Sequence, residues 1–259
     1  MSDELRDPWW ASWFGEEYLA LYPNRDEQEA EIQAAFAVEQ LAGYARLGKV
    51  GFLDLACGTG RHAIALNDSF YGVAGLDLSL PLLRAARRRV TKPRPGYARG
   101  DMRALPYQTG VFGSVVNFFT SFGYFEDPKD DLMVLEEVRR VLVPGGVFLS
   151  DLLNAERVLS ALVHYEEKTI AGERVCIRRR YDPVRKRLEK EITMEPDGVP
   201  RTYRESVRVY REDELRILHQ EAGFLVLESF GDFDGTPYQP KRSPRLILMA
   251  EAVKDEHGA

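Results

Sequence analysis

Short apolar runs alternate with helix-compatible stretches from about residue 50 to 153, and this predicts an α/β fold: a parallel sheet with helices on both faces. Residues 157–210 switch to a two-residue alternation, as in Arg174 to Tyr181, Leu188 to Met194 and Thr202 to Tyr210, broken by turns at Asp182-Pro183 and Pro196-Asp197-Gly198. That pattern predicts an inserted antiparallel β-sheet of three or four strands. A chain of 259 residues with 44% apolar content can bury one large core, which favours one α/β domain with an insertion over two separate domains.

In order, strands are expected near 50–56, 71–77, 97–100, 113–119 and 147–153, and helices near 26–46, 61–69, 80–90 and 130–142. Pro144-Gly145-Gly146 stops the fourth helix and starts a strand, because proline cannot continue a helix and glycine accepts the backbone angles that end one. The tail reads as a helix over 211–222 and a hairpin of strands over 224–230 and 245–253.

Residues 52–66 concentrate the chemistry. The apolar run Phe52 to Leu55 contains Asp54, the turn Gly58-Thr-Gly60 follows, and Ala63 and Leu66 then share a helix face. A strand, a glycine loop and a helix start let backbone N–H groups approach a nucleotide-like ligand closely. Gly58-x-Gly60-x-x-Ala63 followed by Asp77 also fits the loose dinucleotide fingerprint. Asp54 argues against a pyrophosphate, since a carboxylate four residues before the first glycine repels phosphate and suits a cation.

With Asp-Leu-Ala-Cys-Gly-Thr-Gly at 54–60, Tyr71 to Asp77, and Gly100-Asp101-Met102 after a short strand, the chain resembles the class I S-adenosylmethionine-dependent methyltransferases, on their small-molecule, N-methyltransferase-like branch. The resemblance runs from about residue 50 to 153 and resumes near the C-terminus. It implies a Rossmann-like seven-stranded methyltransferase sheet with a reversed last strand, S-adenosyl-L-methionine as cofactor and S-adenosyl-L-homocysteine as product. It also implies site residues: Asp54, Ala56, Cys57, Gly58 and Gly60 of the first motif, Asp77 on the ribose hydroxyls, and Leu78 beside the adenine. Asp101 and the Met102 backbone would hold the adenine edge, and Phe118, Phe119 and Thr120 would pass beneath the methionine part. Ser121 to Phe125 would shape the methyl-transfer mouth. One departure stands in the fourth strand, where Phe112-Gly113 replaces the frequent Phe-Asp at the end away from the chemistry.

Composition narrows the setting. The chain contains no apolar run of about 18 residues, and Met-Ser-Asp-Glu-Leu-Arg lacks the order of a signal peptide, so a cytoplasmic protein is expected, with no membrane partner. Cys57 and Cys176 are too few for a disulfide framework and lack metal spacing, so no metal is expected. Net charge is −6, but residues 171–210 hold 11 Lys/Arg against 7 Asp/Glu, a local +4 that leaves −10 elsewhere. Such a segment draws in an anionic substrate or forms a solvated face of cross-strand ion pairs. A nucleic-acid partner is disfavoured by the overall charge and the lack of interleaved aromatic and basic residues.

The division expected is 1–156 with 211–259 as the cofactor-binding domain, 1–46 being an N-terminal helical cap, and 157–210 as a substrate lid or dimer surface in a monomer or homodimer. The aromatic stretch Pro8 to Arg25 is a liability if exposed. In the methyltransferases it resembles, such a segment folds over the cofactor, which nominates Tyr18, Tyr22 and Arg25. Methyl transfer needs chiefly positioning and desolvation, with a general base optional. No spacing singles one out; His62, His164, Tyr203, Tyr210 and Asp151 are the polar candidates, while His219 reads as a packing or surface residue. Asp232 and Asp234 lack the Glu that closes a calcium loop; Ser243 and Arg245 join the substrate rim. The expected activity is methyl transfer to a small-molecule acceptor, an amine first. The alternatives are an RNA- or O-directed methyltransferase, or a catalytically silent cofactor-binding regulatory protein.

Overall fold

The computed structural model describes residues 8–22, 27–44, 50–70, 72–89, 94–170, 172–195 and 198–253. Three helices, α1 (Trp9–Trp13), α2 (Glu16–Leu21) and α3 (Glu27–Leu41), precede a seven-stranded sheet. The sheet and its helices run β1 (Gly51–Leu55), α4 (Arg61–Leu66), β2 (Val73–Asp77), α5 (Leu80–Arg88), β3 (Gly96–Arg99), β4 (Phe112–Asn117), α6 (Pro128–Val141) and β5 (Leu142–Leu153). After α7 (Ala155–Ser160) come β6 (Tyr165–Ile170), β7 (Glu173–Asp182), β8 (Arg187–Met194) and β9 (Arg201–Arg208). The chain returns through α8 (Glu212–Glu221), β10 (Phe224–Phe230) and β11 (Arg245–Ala252).

The large sheet has the order β10-β11-β5-β4-β1-β2-β3. Strands β1 to β5 pair in parallel, whereas β11 is antiparallel to both β5 and β10. Strand β4 is buried throughout and β1 nearly so, as expected of strands covered on both faces. One face packs Leu135, Val138 and Leu215 of α6 and α8; the other packs Phe36, Ala63 and Leu66 of α3 and α4. Ser79 and Asp127 cap α5 and α6 with their side-chain oxygens, and each helix has proline in its first turn.

β5 begins five residues earlier than the sequence suggested. Leu142 already pairs with Phe112, and the next pair is Ser114 with Val147, so Pro144-Gly145-Gly146 forms a bulge inside the strand. Gly145 makes the detour with φ at +76°. The N-terminal region holds two short helices ahead of α3, for which no separate bounds were expected.

Strands β6 to β9 form a separate antiparallel sheet in sequence order. Its Val175, Ile177, Ile192 and Met194 pack with Trp13, Tyr18, Leu21 and Leu82, so α1 and α2 lie between this sheet and α5. Arg187 of β8 joins the two sheets. It is 2% exposed and donates to the main-chain oxygens of Gly123, Tyr124, Phe125 and Ser206 and to the Ser206 hydroxyl. Beside it Asp131 is fully buried and accepts from the Tyr210 hydroxyl at 2.6 Å. Burial pushes its carboxyl up to about 6, against the opposing pull of Tyr210 and Arg187.

Replacing Arg187→Met strands several buried carbonyls without donors. Urea unfolding should show a loss of at least about 3 kcal/mol, since each unsatisfied buried polar group costs about 1–3 kcal/mol.

Candidate active site

The carboxyl ends of β1, β2 and β3 open into a cavity of about 490 Å³. Its walls include Asp54, Ala56, Cys57, Gly58, Asp77, Leu78, Asp101, Met102, Phe118, Phe119, Thr120, Tyr18, Tyr22 and His62 of the residues nominated from sequence. Arg25 lies outside the described residues.

The glycine loop is compact for identifiable reasons. Ala56, Gly58 and Gly60 all have positive φ, and Gly60 caps α4 in the left-handed region. Tyr97 of β3 lies across the loop: a Cβ on Gly60 would come within 2.9 Å of its ring, and one on Gly75 would meet both that ring and the Cys57 sulfur at 2.7 Å. Gly60 thus shapes the loop from behind, off the cavity wall. The Cys57 N–H donates to Leu76 O at 2.9 Å, tying the loop to β2.

Asp54 is 1% exposed, and its Oδ2 is buried with no partner. Burial pushes its carboxyl up to about 8, with the Ala63 N–H opposing and Asp77 adding to the rise. Asp77 accepts from Gly58 N at 2.8 Å and Ser79 N at 2.7 Å, which fixes its orientation at the end of β2. Asp101 is gripped by Arg103 at 2.7 Å; despite partial burial, that contact holds the carboxyl below its ordinary value. Arg103 also pairs with Asp130 at 3.0 Å and lies over Trp10 and Phe125.

β4 leaves the sheet through Phe118 into Phe119 and Thr120, whose φ values are +66° and +58°. Two consecutive non-glycine residues there cost about 1–3 kcal/mol each. Asp151 accepts from Phe119 N at 2.9 Å through its carboxylate and from Thr120 N at 3.0 Å through its carbonyl. Arg245 pairs with Asp151 at 2.6 Å and donates to the Thr120 hydroxyl at 2.7 Å.

The roof comes from the N-terminal segment and the small sheet. Trp9, Phe14 and Tyr124 pack together beside Tyr18, with Trp9 and Tyr124 centroids 4.9 Å apart. Glu205 of β9 accepts from the Trp13 indole at 2.9 Å, and Lys190 bonds both Glu205 and the Tyr22 hydroxyl.

Several polar candidates are corrected. His164 is exposed and contacts Arg179 O, Tyr203 packs on Trp13 at 4.6 Å, and Tyr210 is committed to Asp131; all three lie off the cavity walls. Asp151 is likewise off the walls, engaged as described. His62 does line the cavity, but it bonds Gln33 at 2.5 Å, and burial, with Arg61 nearby, lowers it to about 3, so it remains neutral and is a weak base. His219 is buried between Phe148 and Phe224. Sequence reasoning missed Arg61, Arg103, Glu205 and Arg187. Arg61 directly follows Gly60, a usable local signal; Glu205 and Arg187 sit in polar strand patterns like those of their solvent-facing neighbours.

A methyltransferase domain family model matches residues 52–146. Among curated relatives, dTDP-3-amino-3,4,6-trideoxy-alpha-D-glucopyranose N,N-dimethyltransferase of Streptomyces venezuelae is 38% identical over 96 residues, 37% of this chain and 39% of that one. The first curated relatives are matched over 36–43% of their own length. Among solved structures, an S-adenosylmethionine-dependent methyltransferase from Clostridium acetobutylicum superposes with TM-score 0.78 at 18% identity, covering 92% of this chain and 98% of that chain. The sugar N-methyltransferase KedS8 from a Streptoalloteichus species gives 0.67 at 22% identity, covering 98% of each chain. The chain shares the fold of these S-adenosylmethionine-dependent methyltransferase structures, and residues 52–146 match the methyltransferase domain family model.

Gly60→Ala adds a methyl against the Tyr97 ring at a left-handed position. Urea denaturation should show about 1–3 kcal/mol of lost stability, as for overpacked or strained sites.

Proposed function

We propose that this protein transfers the methyl group of S-adenosyl-L-methionine to a small-molecule acceptor, with an amine as the acceptor group. The observation that carries the reading is the unpartnered buried oxygen of Asp54 on the wall of a cavity that Asp77 and Asp101 also line. Carboxyl groups at the ends of three successive strands suit an adenosyl ligand whose positive charge favours their ionised forms.

In this reading Asp54 attracts the ammonium of the methionine part, Asp77 accepts from the ribose hydroxyls, and Asp101 with the Met102 N–H meets the adenine edge. Ala56, Cys57 and Gly58 bring the backbone close; Leu78 flanks the base. Phe118, Phe119 and Thr120 form the floor under the methionine part. Tyr18 and Tyr22 close the roof and exclude water, which strengthens each charge interaction inside. The cofactor supplies a methyl group on a positively charged sulfur, so the chain's contribution is to position and desolvate the acceptor.

The amine reading draws on relatives that are sugar N-methyltransferases. A nucleic-acid acceptor fits less well: of the eleven Lys/Arg in 171–210, ten have a carboxylate within 4.0 Å and Arg187 is buried. Those ten cations share eight carboxylates of this chain. The division into a cofactor domain and a 157–210 insertion that walls the acceptor side belongs to the same proposal. Among the described residues no helix is long and apolar enough to cross a membrane.

Calorimetry with S-adenosylhomocysteine and with NAD tests the reading: binding of the first alone is expected, and heat from NAD alone would overturn it. A labelled-methyl screen over amino sugars and amino acids then reads the acceptor. A second expectation concerns protons. Below about pH 8 the empty site holds Asp54 protonated, and a bound ammonium favours the carboxylate. Binding should therefore release a proton at pH 7, and affinity should rise with pH until about 8. Titrations in phosphate and Tris should differ in heat, and Asp54→Asn should abolish the difference.

A further inference from the structure

We propose that Arg245 is a positioning residue whose guanidinium holds Phe119 and Thr120 in their left-handed backbone and so sets the cavity floor under the cofactor. The inference rests on the methyltransferase reading above. Three strands converge at this corner. Phe119 and Thr120 follow β4, Asp151 is on β5, and Arg245 opens β11, paired in register opposite Leu153.

The bonds form a closed brace. Asp151 takes the N–H of Phe119 on Oδ2 and that of Thr120 on its carbonyl, while its Oδ1 takes the Arg245 Nε at 2.6 Å. The Nη2 of the same guanidinium reaches the Thr120 hydroxyl at 2.7 Å. Arg245 is itself anchored, its backbone N–H donating to Gly231 O at 2.9 Å. One side chain, itself on the cavity wall, thus compensates a carboxylate that is 1% exposed and bonds Thr120.

The choice of residues at the corner points the same way. Glycine adopts a left-handed backbone without strain, yet the chain keeps a phenyl ring at 119 and a hydroxyl at 120, and both residues line the cavity. Arg61 lies over the Phe119 ring at 5.5 Å, so an altered corner would move a second cation near the glycine loop. Strain retained where side chains face a ligand is a functional signature. The planar fork of arginine makes two bonds in fixed geometry, which a lysine cannot reproduce.

The test is a double-mutant cycle on the full chain, read as S-adenosylhomocysteine affinity by calorimetry alongside thermal midpoints. Arg245→Met and Thr120→Val should each weaken binding about tenfold, and the double variant should lose little more than either alone. Arg245→Lys restores the charge beside Asp151 without the second arm and should recover part of the loss. Should Arg245→Met fail to fold, the cycle runs with Arg245→Lys in its place. Unchanged affinity in variants with lowered thermal midpoints would assign Arg245 to stability alone and overturn the proposal. Losses that simply add would also overturn it. Absence of binding by the unaltered protein would instead count against the methyltransferase reading itself.

Discussion

A carboxylate buried without a cation of its own is the constraint around which the site is arranged. Among the described residues Asp54 has no ion-pair partner, and one of its oxygens has no hydrogen bond. A protein stabilised only for its own sake would replace such a group with an apolar one. Here it sits on β1, beside the place where the strand order turns back between β1 and β4, the position at which open α/β sheets bind ligands. The sheet fixes the backbone on both sides of it, and the glycine loop leaves the space in front. The carboxyl groups of Asp77 and Asp101, each held by neighbouring donors, extend the same polarity along the sheet edge.

How much of this was legible in the chain depends on how local each signal is. The loop from Asp54 to Gly60 and the acids closing β2 and β3 are short-range patterns, so their positions on the cavity follow from strand periodicity and turn chemistry. The terminal hairpin was likewise readable, with β10 falling on 224–230. The start of β5 was not, because Pro144-Gly145-Gly146 stops helices and also forms bulges, and only pairing with β4 selects the second. Tyr97 explains why Gly60 and Gly75 must be glycine, but its contact with them is tertiary and leaves no mark in sequence.

The inserted sheet was the hardest to read functionally. Of the two readings of its cations, an attractor for an anionic substrate or a face of ion pairs, the second matches the contacts seen with acids on neighbouring strands and elements, as in Arg180 with Glu189 and Lys186 with Glu214. Exposed pairs of this kind contribute little to stability individually, about 0–1 kcal/mol. The arginine that matters most for the architecture, Arg187, bonds to carbonyls and a hydroxyl and is indistinguishable by pattern from those on either side. His62 reaches the cavity wall and Tyr210 does not, a difference set by tertiary burial and partners that spacing does not carry.

The Arg187 contacts carry a consequence for how a ligand reaches the interior. A buried guanidinium pins this wall to the 123–125 loop, whereas the stretch from Pro8 to Tyr22 meets the cavity through side-chain contacts. Beyond its apolar packing on the small sheet, that stretch is held by polar contacts that include the Trp13 indole on Glu205, Glu17 on Arg201, Tyr22 on Lys190, and the Ser79 hydroxyl on the Phe14 carbonyl. Detaching them exposes a band of tryptophan and tyrosine rings to water all at once. Solvents that soften apolar contacts should therefore loosen this aromatic segment before they disturb the sheet beneath.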